Sequence, residues 1–194
     1  MTTFYTSDTH FGHRNIIEYC NRPFRSVEHM NEAIIGMWNE TVKPEDTVYH
    51  LGDVSLGTLA ESLPLVARLN GTKILVPGNH DRVWNHWPHK TPEKRARFIE
   101  MYGEVFQSVS STDVMAVSIN GQYVMLSHLP YDGDSQEEER YGSIRPIDNG
   151  LPLIHGHIHS TETARSGRQF HVGMDAHGYK PVHEDVIKDW LSTL

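Results

Sequence analysis

The amino-acid sequence predicts a mixed α/β domain that spans residues 1–194. Short apolar segments of strand length are repeatedly followed by polar motifs. Apolar residues recur at near-helical spacing over Val27–Val42, and two alternating segments flank the turn Asn120-Gly121. A chain of 194 residues can bury a substantial core, so we expect one domain.

The first half of the chain alternates predicted strands and helices. The apolar stripe of Val27–Val42 follows Ser26, a residue that commonly caps a helix. We predict a second helix over Leu59–Leu69, despite Pro64 within it. The strands expected in this half are Thr3–Ser7, Thr47–Leu51 and Lys73–Val76.

The second half adds antiparallel structure. Val114–Ile119 and Gln122–Ser127 alternate around Asn-Gly, which predicts a hairpin and therefore mixed sheets. Leu129–Gly150 has the composition of a long loop. The remaining expected elements are a helix over Pro92–Tyr102, strands over Leu151–His155 and Gln169–Val172, and a final helix over Val186–Leu191.

Composition limits the possible functions. The net charge of -8 disfavours long nucleic acid as a partner. No apolar run predicts a membrane span, and no basic-then-apolar leader follows Met1. Because Cys20 is the only cysteine, no intramolecular disulfide can form, which suits the cytoplasm. The 14 histidines are unusual, so any metal is expected to bind histidine and oxygen ligands.

Five polar motifs follow predicted strands, where open α/β sheets place their sites. Three of them are common in ordinary loops when taken singly, whereas three alternating histidines rarely serve packing alone. Gly-Asn-His-Asp is also uncommon by composition. In chain order the motifs are Asp8-Thr9-His10, Gly52-Asp53, Gly78-Asn79-His80-Asp81, Ser127-His128 and His155-Gly156-His157-Ile158-His159.

In this order and spacing, the five motifs resemble the signature of calcineurin-like metallophosphoesterases. The resemblance runs from Tyr5 to His159, and Phe11-Gly12-His13-Arg14-Asn15-Ile16-Ile17 is closer to the small bacterial and phage branch. The resemblance implies two mixed sheets packed face to face and flanked by helices, a four-layer αββα sandwich. It also implies a metal-dependent phosphoesterase with a binuclear centre.

The resemblance further implies which residues bind the two divalent ions. Asp53 would bridge them, since a carboxylate can share its oxygens between two cations. Asp8, His10 and His159 would complete the first site, and Asn79, His128 and His157 the second. Manganese is the expected metal, and this ligand set also suits iron, zinc, nickel or cobalt.

By the same resemblance, a hydroxide between the ions attacks phosphorus. His80 would protonate the leaving group and Asp81 would orient His80, although His80 as a further ligand or turn residue stays open. Arg14 and Arg22 are candidates to hold phosphate oxygens. His13 is a candidate to face the substrate, with solvent as the alternative.

The substrate class follows from departures within the family. Protein phosphatases carry Asp-Arg-Gly after the Gly-Asp motif, whereas Gly52-Asp53 here continues into Val54-Ser55-Leu56. We therefore expect a small phosphodiester substrate, such as a 2′,3′-cyclic nucleotide. A phosphomonoesterase and a nuclease are alternatives within the same site. A protein-binding scaffold is the non-enzymatic alternative, disfavoured because every ligand position is filled.

Overall fold

Strands in the described part of the chain form two mixed sheets. The computed structural model describes residues 1–88, 91–163 and 167–194. The first sheet has the order β4-β3-β2-β1-β9, in which β9 runs antiparallel to β1 and the other pairs are parallel. Its strands are β1 (Thr3–Thr6), β2 (Thr47–His50), β3 (Thr72–Leu75), β4 (Ser108–Val109) and β9 (Val182–His183).

The second sheet contains the predicted hairpin. Its order is β5-β6-β7-β8, and its strands are β5 (Val114–Ile119), β6 (Gln122–Ser127), β7 (Leu153–His155) and β8 (Gln169–His171). Strands β5 and β6 are antiparallel, with Ile119 opposite Gln122, whereas β6, β7 and β8 are parallel. The prediction of an α/β fold with two mixed sheets is confirmed.

The helices largely follow the predicted segments. They are α1 (Ile16–Tyr19), α2 (Val27–Thr41), α3 (Leu59–Ser62), α4 (Pro92–Gly103) and α5 (Glu184–Leu191). The segment predicted as one helix from Leu59 is α3 followed by a 3-10 helix over Leu63–Arg68, because Pro64 has no N–H to continue an α-helix. Sequence periodicity misses α1, β4 and β9, which are short. No helix of the described residues is long and apolar enough to cross a membrane.

Neighbouring side chains of β1 point to opposite faces of the first sheet and pack in two separate layers of the core. Phe4 packs in a cluster with Met30 and Trp38 of α2, on the outer face of the first sheet. Its neighbour Tyr5 packs with Leu126 and Ile154 of the second sheet. Because successive strand residues point to opposite faces, the first sheet lies between α2 and the second sheet. The sheets therefore pack face to face.

The segment after β6 covers part of the outer face of the second sheet. The Tyr131 hydroxyl contacts the sulfur of Met125 and donates to the carbonyl of Leu151. Met125 points away from the inter-sheet core, since its neighbours Val124 and Leu126 belong to that core. Part of this outer layer is thus loop rather than helix.

The carboxyl ends of five parallel strands carry the predicted motifs. Asp8, Asp53 and Asn79 follow β1, β2 and β3, while His128 and His157 follow β6 and β7. A β-bridge between Ser7 and Gly173 joins the ends of the two sheets at this edge. Residues from both sheets therefore meet at one place.

Candidate metal centre

Three predicted ligands from distant parts of the chain converge on one point. The Nε2 atoms of His10 and His159 lie 3.3 Å apart. Oδ1 of Asp8 lies 3.9 Å from Nε2 of His10 and 3.8 Å from Nε2 of His159. Two imidazole nitrogens and one carboxylate oxygen facing a common point form a group that could hold a divalent ion.

Asp53 lies between this group and a second one. Its Oδ2 is 3.7 Å from Nε2 of His10 and 3.5 Å from Nε2 of His128. Its Oδ1 accepts a hydrogen bond of 2.9 Å from the backbone N–H of His80. One oxygen of Asp53 therefore faces histidines of both predicted sites, as a bridging ligand requires.

Of the residues predicted for the second site, Asn79 and His128 are in contact, whereas Nε2 of His157 lies 3.2 Å from Oδ2 of Asp134. Oδ1 of Asn79 lies 3.0 Å from Nε2 of His128, while Nδ1 of His128 lies 2.8 Å from the carbonyl of Leu51. That carbonyl can only accept, so Nδ1 carries the proton and Nε2 is free to bind a cation. The rings of His128 and His157 are 5.2 Å apart, edge to face.

Five of the predicted ligands have left-handed backbone conformations. Such φ values are uncommon outside glycine and concentrate at functional sites. The residues are Asp8 (φ 61°), His10 (51°), Asp53 (55°), His157 (73°) and His159 (49°). The turns after the strands are therefore bent sharply enough to direct several side chains inward.

Glycines allow the ligand loops to approach each other. A Cβ on Gly156 would lie 2.5 Å from Oγ of Ser7 and 2.7 Å from Oδ2 of Asp8. A Cβ on Gly78 would collide with the Asp53 carboxylate. Glycine in the Gly-Asn-His and Gly-His-x-His motifs is thus required by close packing around the ligands.

The protonation states of two predicted ligands, Asp8 and His157, suit cation binding. Burial alone would raise the pKa of Asp8, but His159, His128 and His10 outweigh it and hold that pKa well below its usual range. Burial, and then His128, lowers the pKa of His157 to about 4. Asp8 is therefore ionised and His157 neutral near pH 7, the forms that bind metals.

A buried oxygen without a partner supports the same assignment. Oδ1 of Asp8 accepts no hydrogen bond from any residue that the structure describes. An unpaired buried carboxylate oxygen is costly unless a cation or another donor satisfies it. The residues present therefore fit divalent ions.

Arg22 is buried and does not line the cavity beside His80, which corrects the prediction that it holds phosphate. It is only 3% exposed, and its guanidinium donates to both oxygens of Asp175, at 2.8 and 2.9 Å. It also donates to the carbonyl of Asp8, at 2.8 Å. Oδ2 of Asp175 in turn lies 2.9 Å from Nδ1 of His159. Arg22 and Asp175 thus orient two predicted ligands, Asp8 and His159, a role that the sequence does not reveal.

Asp81 also has a different role from the predicted one. Its carboxylate is fully buried and accepts backbone hydrogen bonds from Gly78, Asp53 and Val54, at 2.8, 2.9 and 3.1 Å. The Tyr102 hydroxyl donates to it at 3.1 Å. With both oxygens engaged in this way, Asp81 joins the two ligand loops and does not orient the His80 ring.

A cavity of about 650 Å³ lies over the first group of ligands. His80 and His13 both line it, and the side chain of His80 is 40% exposed. Burial, and then His80, lowers the pKa of His13 to about 4, so His13 is neutral near pH 7. Arg14 is exposed and lines a separate depression beside Glu28, so its predicted contact with phosphate has no support in the structure.

Comparison with known proteins identifies the family. The model of the calcineurin-like phosphoesterase superfamily domain matches residues 1–174. The chain belongs to this superfamily. It is similar to the gene 66 protein of Mycobacterium phage D29, with 38% identity over 93% of this chain and 92% of that protein.

Two further similarities cover nearly the whole chain. An uncharacterised protein of Methanocaldococcus jannaschii is 32% identical over 93% of this chain and 86% of its own length. The crystal structure of a protein of unknown function from Aquifex aeolicus matches with a TM-score of 0.72 and 29% identity, covering 97% of this chain and 98% of that one. The fold of this calcineurin-like phosphoesterase therefore matches that of the Aquifex aeolicus protein over nearly the whole of both chains.

One cavity residue of this phosphoesterase is not singled out by its sequence. Arg140 comes from the long segment 129–150 and lines the cavity with His80 and His159. In the sequence it follows Glu137-Glu138-Glu139, a charge run typical of a solvated loop. Nothing local distinguishes it from a surface arginine, so only the tertiary structure identifies it.

Proposed function

We propose that this calcineurin-like phosphoesterase is a binuclear metal-dependent phosphodiesterase acting on small substrates such as 2′,3′-cyclic nucleotides. The observation that carries the proposal is the position of Oδ2 of Asp53, within 3.7 Å of His10 and 3.5 Å of His128. A carboxylate oxygen shared between two histidine groups suits two neighbouring cations better than one.

Seven residues would hold the ions. They are Asp8, His10, Asp53, Asn79, His128, His157 and His159. When bound, two divalent ions withdraw charge from the phosphoryl oxygens and lower the pKa of a bound water toward neutrality. Manganese is the proposed metal because mixed oxygen and imidazole ligands suit it.

His80 would donate the proton that the leaving oxygen needs. It lines the cavity, and its backbone N–H is held by Oδ1 of Asp53. Its half-exposed ring can reach a bound substrate and exchange protons with solvent. Neutral His13, in the same cavity, would contact the substrate.

The size and charge of the molecule favour a small diester. A cavity of about 650 Å³ is in the range that accommodates small molecules. The net charge of -8 opposes long polyanions at physiological salt. A diester phosphate carries one negative charge, so it needs fewer cationic side chains than a monoester does.

The test is a substrate panel on protein stripped of metal and reloaded with Mn²⁺. We expect a higher kcat/KM for bis-p-nitrophenyl phosphate than for p-nitrophenyl phosphate, together with hydrolysis of 2′,3′-cyclic nucleotides. The chelated protein is the control and should be inactive. A clear monoester preference, or efficient cutting of duplex DNA without cyclic-nucleotide activity, would overturn the phosphodiesterase proposal. Absence of any phosphoesterase activity with every metal would favour the scaffold alternative.

A further inference from the structure

The segment 129–150 places a fixed positive charge in the wall of the cavity. Arg140 and its neighbours Ser135 and Gln136 line the same cavity as His10, His80 and His159. Arg140 is the only arginine or lysine among the residues described as lining this cavity. A cation at this position acts on whatever the cavity binds.

A buried carboxylate orients Arg140. Oδ1 of Asp134 accepts hydrogen bonds from Nε and Nη2 of Arg140, at 3.1 and 2.6 Å. Oδ2 of Asp134 accepts from the backbone N–H of Arg140, at 3.0 Å. The Asp134 side chain is fully buried, so this arrangement fixes the guanidinium before any ligand arrives.

Asp134 does not neutralise Arg140, because it also pairs with Arg145. Nη2 of Arg145 donates to Oδ2 of Asp134 at 3.0 Å, and the Arg145 side chain is 5% exposed. The Asp134 carboxylate therefore faces two guanidinium groups as well as Nε2 of His157, at 3.2 Å, so it cannot offset the charge of both arginines. The remaining charge is accessible at Arg140, whose side chain is 32% exposed.

Arg140 also retains a free donor. Among the described residues, no hydrogen bond involves its Nη1, while Nη2 is shared by Asp134 and Ser135. The guanidinium lies over the ring of Tyr141, with its central carbon 5.4 Å from the ring centroid. A pre-oriented guanidinium with a free donor is suited to bind an anion.

We propose that Arg140 binds a second anionic group, a phosphate or a carboxylate, on the substrate. The inference rests on the proposed phosphodiesterase function and narrows its substrate class. Two divalent ions held by the predicted ligands would offset the single charge of the reacting diester, so we assign the excess charge of the Asp134 cluster (Asp134, Arg140 and Arg145) to another group. Arg140 defines a subsite for that group.

The test compares two nucleotides that differ by one phosphate. Hydrolysis of adenosine 2′,3′-cyclic phosphate and of its 5′-phosphorylated form is measured for wild-type protein, Arg140→Ala and Arg140→Lys. We expect Arg140→Ala to lower kcat/KM for the phosphorylated substrate by about 10- to 100-fold, and for the other by less than about threefold. Arg140→Lys, which keeps the charge but loses the fork geometry, should fall between. Arg97→Ala, a change on the exposed face of α4, is the matched control.

Each outcome decides one of the two proposals. If wild-type protein hydrolyses neither nucleotide, the proposed function is contradicted but the subsite is still tested. In that case, calorimetry measures the affinity of both nucleotides for wild-type protein and for Arg140→Ala, without any turnover. Equal losses on both substrates would place Arg140 at the reacting phosphate, and no loss would remove it from binding. Either result overturns the inference. The metal content and the thermal unfolding midpoint of each variant are compared with those of wild-type protein. If Arg140→Ala is unstable, the losses measured for Arg140→Lys test the subsite instead.

Discussion

Oδ2 of Asp81 accepts a hydrogen bond of 2.9 Å from the backbone N–H of Asp53. The same carboxylate accepts from the N–H groups of Gly78 and Val54. Asp81 thus holds the loop of the proposed bridging ligand against the loop that carries Asn79 and His80. The geometry of the candidate metal centre therefore depends on a residue that we do not expect to touch metal or substrate.

We expect Asp81→Asn to destabilise the protein by about 2–3 kcal/mol, because an amide nitrogen would face backbone N–H groups that now have an acceptor. Urea unfolding of the chelated protein near pH 7 measures this change. Asp189→Asn, at an exposed position, should be neutral. Wild-type stability in Asp81→Asn would show that the three backbone contacts contribute little.

Asp53→Asn should weaken both metal sites and abolish turnover, since Oδ2 of Asp53 faces both histidine groups. Asp8→Asn should affect mainly one site. Elemental analysis after dialysis gives the metal content of both variants. If Asp53→Asn retained two tightly bound ions and near-normal rates, the bridging assignment would be wrong.

His80→Ala should keep both ions but slow the hydrolysis of substrates with poor leaving groups by about 10²–10⁴-fold. The aryloxide group of an aryl ester leaves without a proton, so the hydrolysis of aryl esters should be slowed less. The comparison uses 2′,3′-cyclic nucleotides and bis-p-nitrophenyl phosphate, with His86→Ala at an exposed position as the control. Equal losses on both substrates, or loss of metal, would contradict a general-acid role.

Buried histidine makes stability depend on pH. Burial lowers the pKa of His50 to about 4 from an ordinary value of 6.5. The unfolded chain therefore binds this proton first, so the contribution of neutral His50 is complete above pH 6.5 and is lost as pH falls toward 4.

We expect His50→Gln to reduce the slope of unfolding free energy against pH in this window, by up to about 1.4 kcal/mol per pH unit. Urea unfolding of chelated protein at several pH values between 4.5 and 7 measures the slope. The exposed histidine of α2 provides the control His29→Gln, which removes a histidine without altering a buried site. An unchanged slope in His50→Gln would mean that His50 binds its proton equally well in the folded and the unfolded protein.

Elements with a clear periodic pattern could be predicted from the sequence. The stripe of α2 and the Asn120-Gly121 turn carry their signals within about 15 residues, and both elements appear where expected. The short strand β9 pairs with β1 through contacts about 180 positions away, and no local pattern encodes that pairing. The sequence predicts one helix over Leu59–Leu69, whereas in the structure α3 ends at Ser62 and Pro64 lies in the first turn of a 3-10 helix.

The sequence by itself indicated the family and the residue types of the candidate metal centre, because the order and spacing of five short motifs can be read along the chain without knowing which residues meet in space. The tertiary structure decided the roles of the charged residues around them. Arg22 and Arg140 are both arginines in loops, yet Arg22 is buried against Asp175 whereas Arg140 reaches the cavity. An arginine can donate to any acceptor that the fold brings within about 3 Å, so its partner depends on the packing of distant segments.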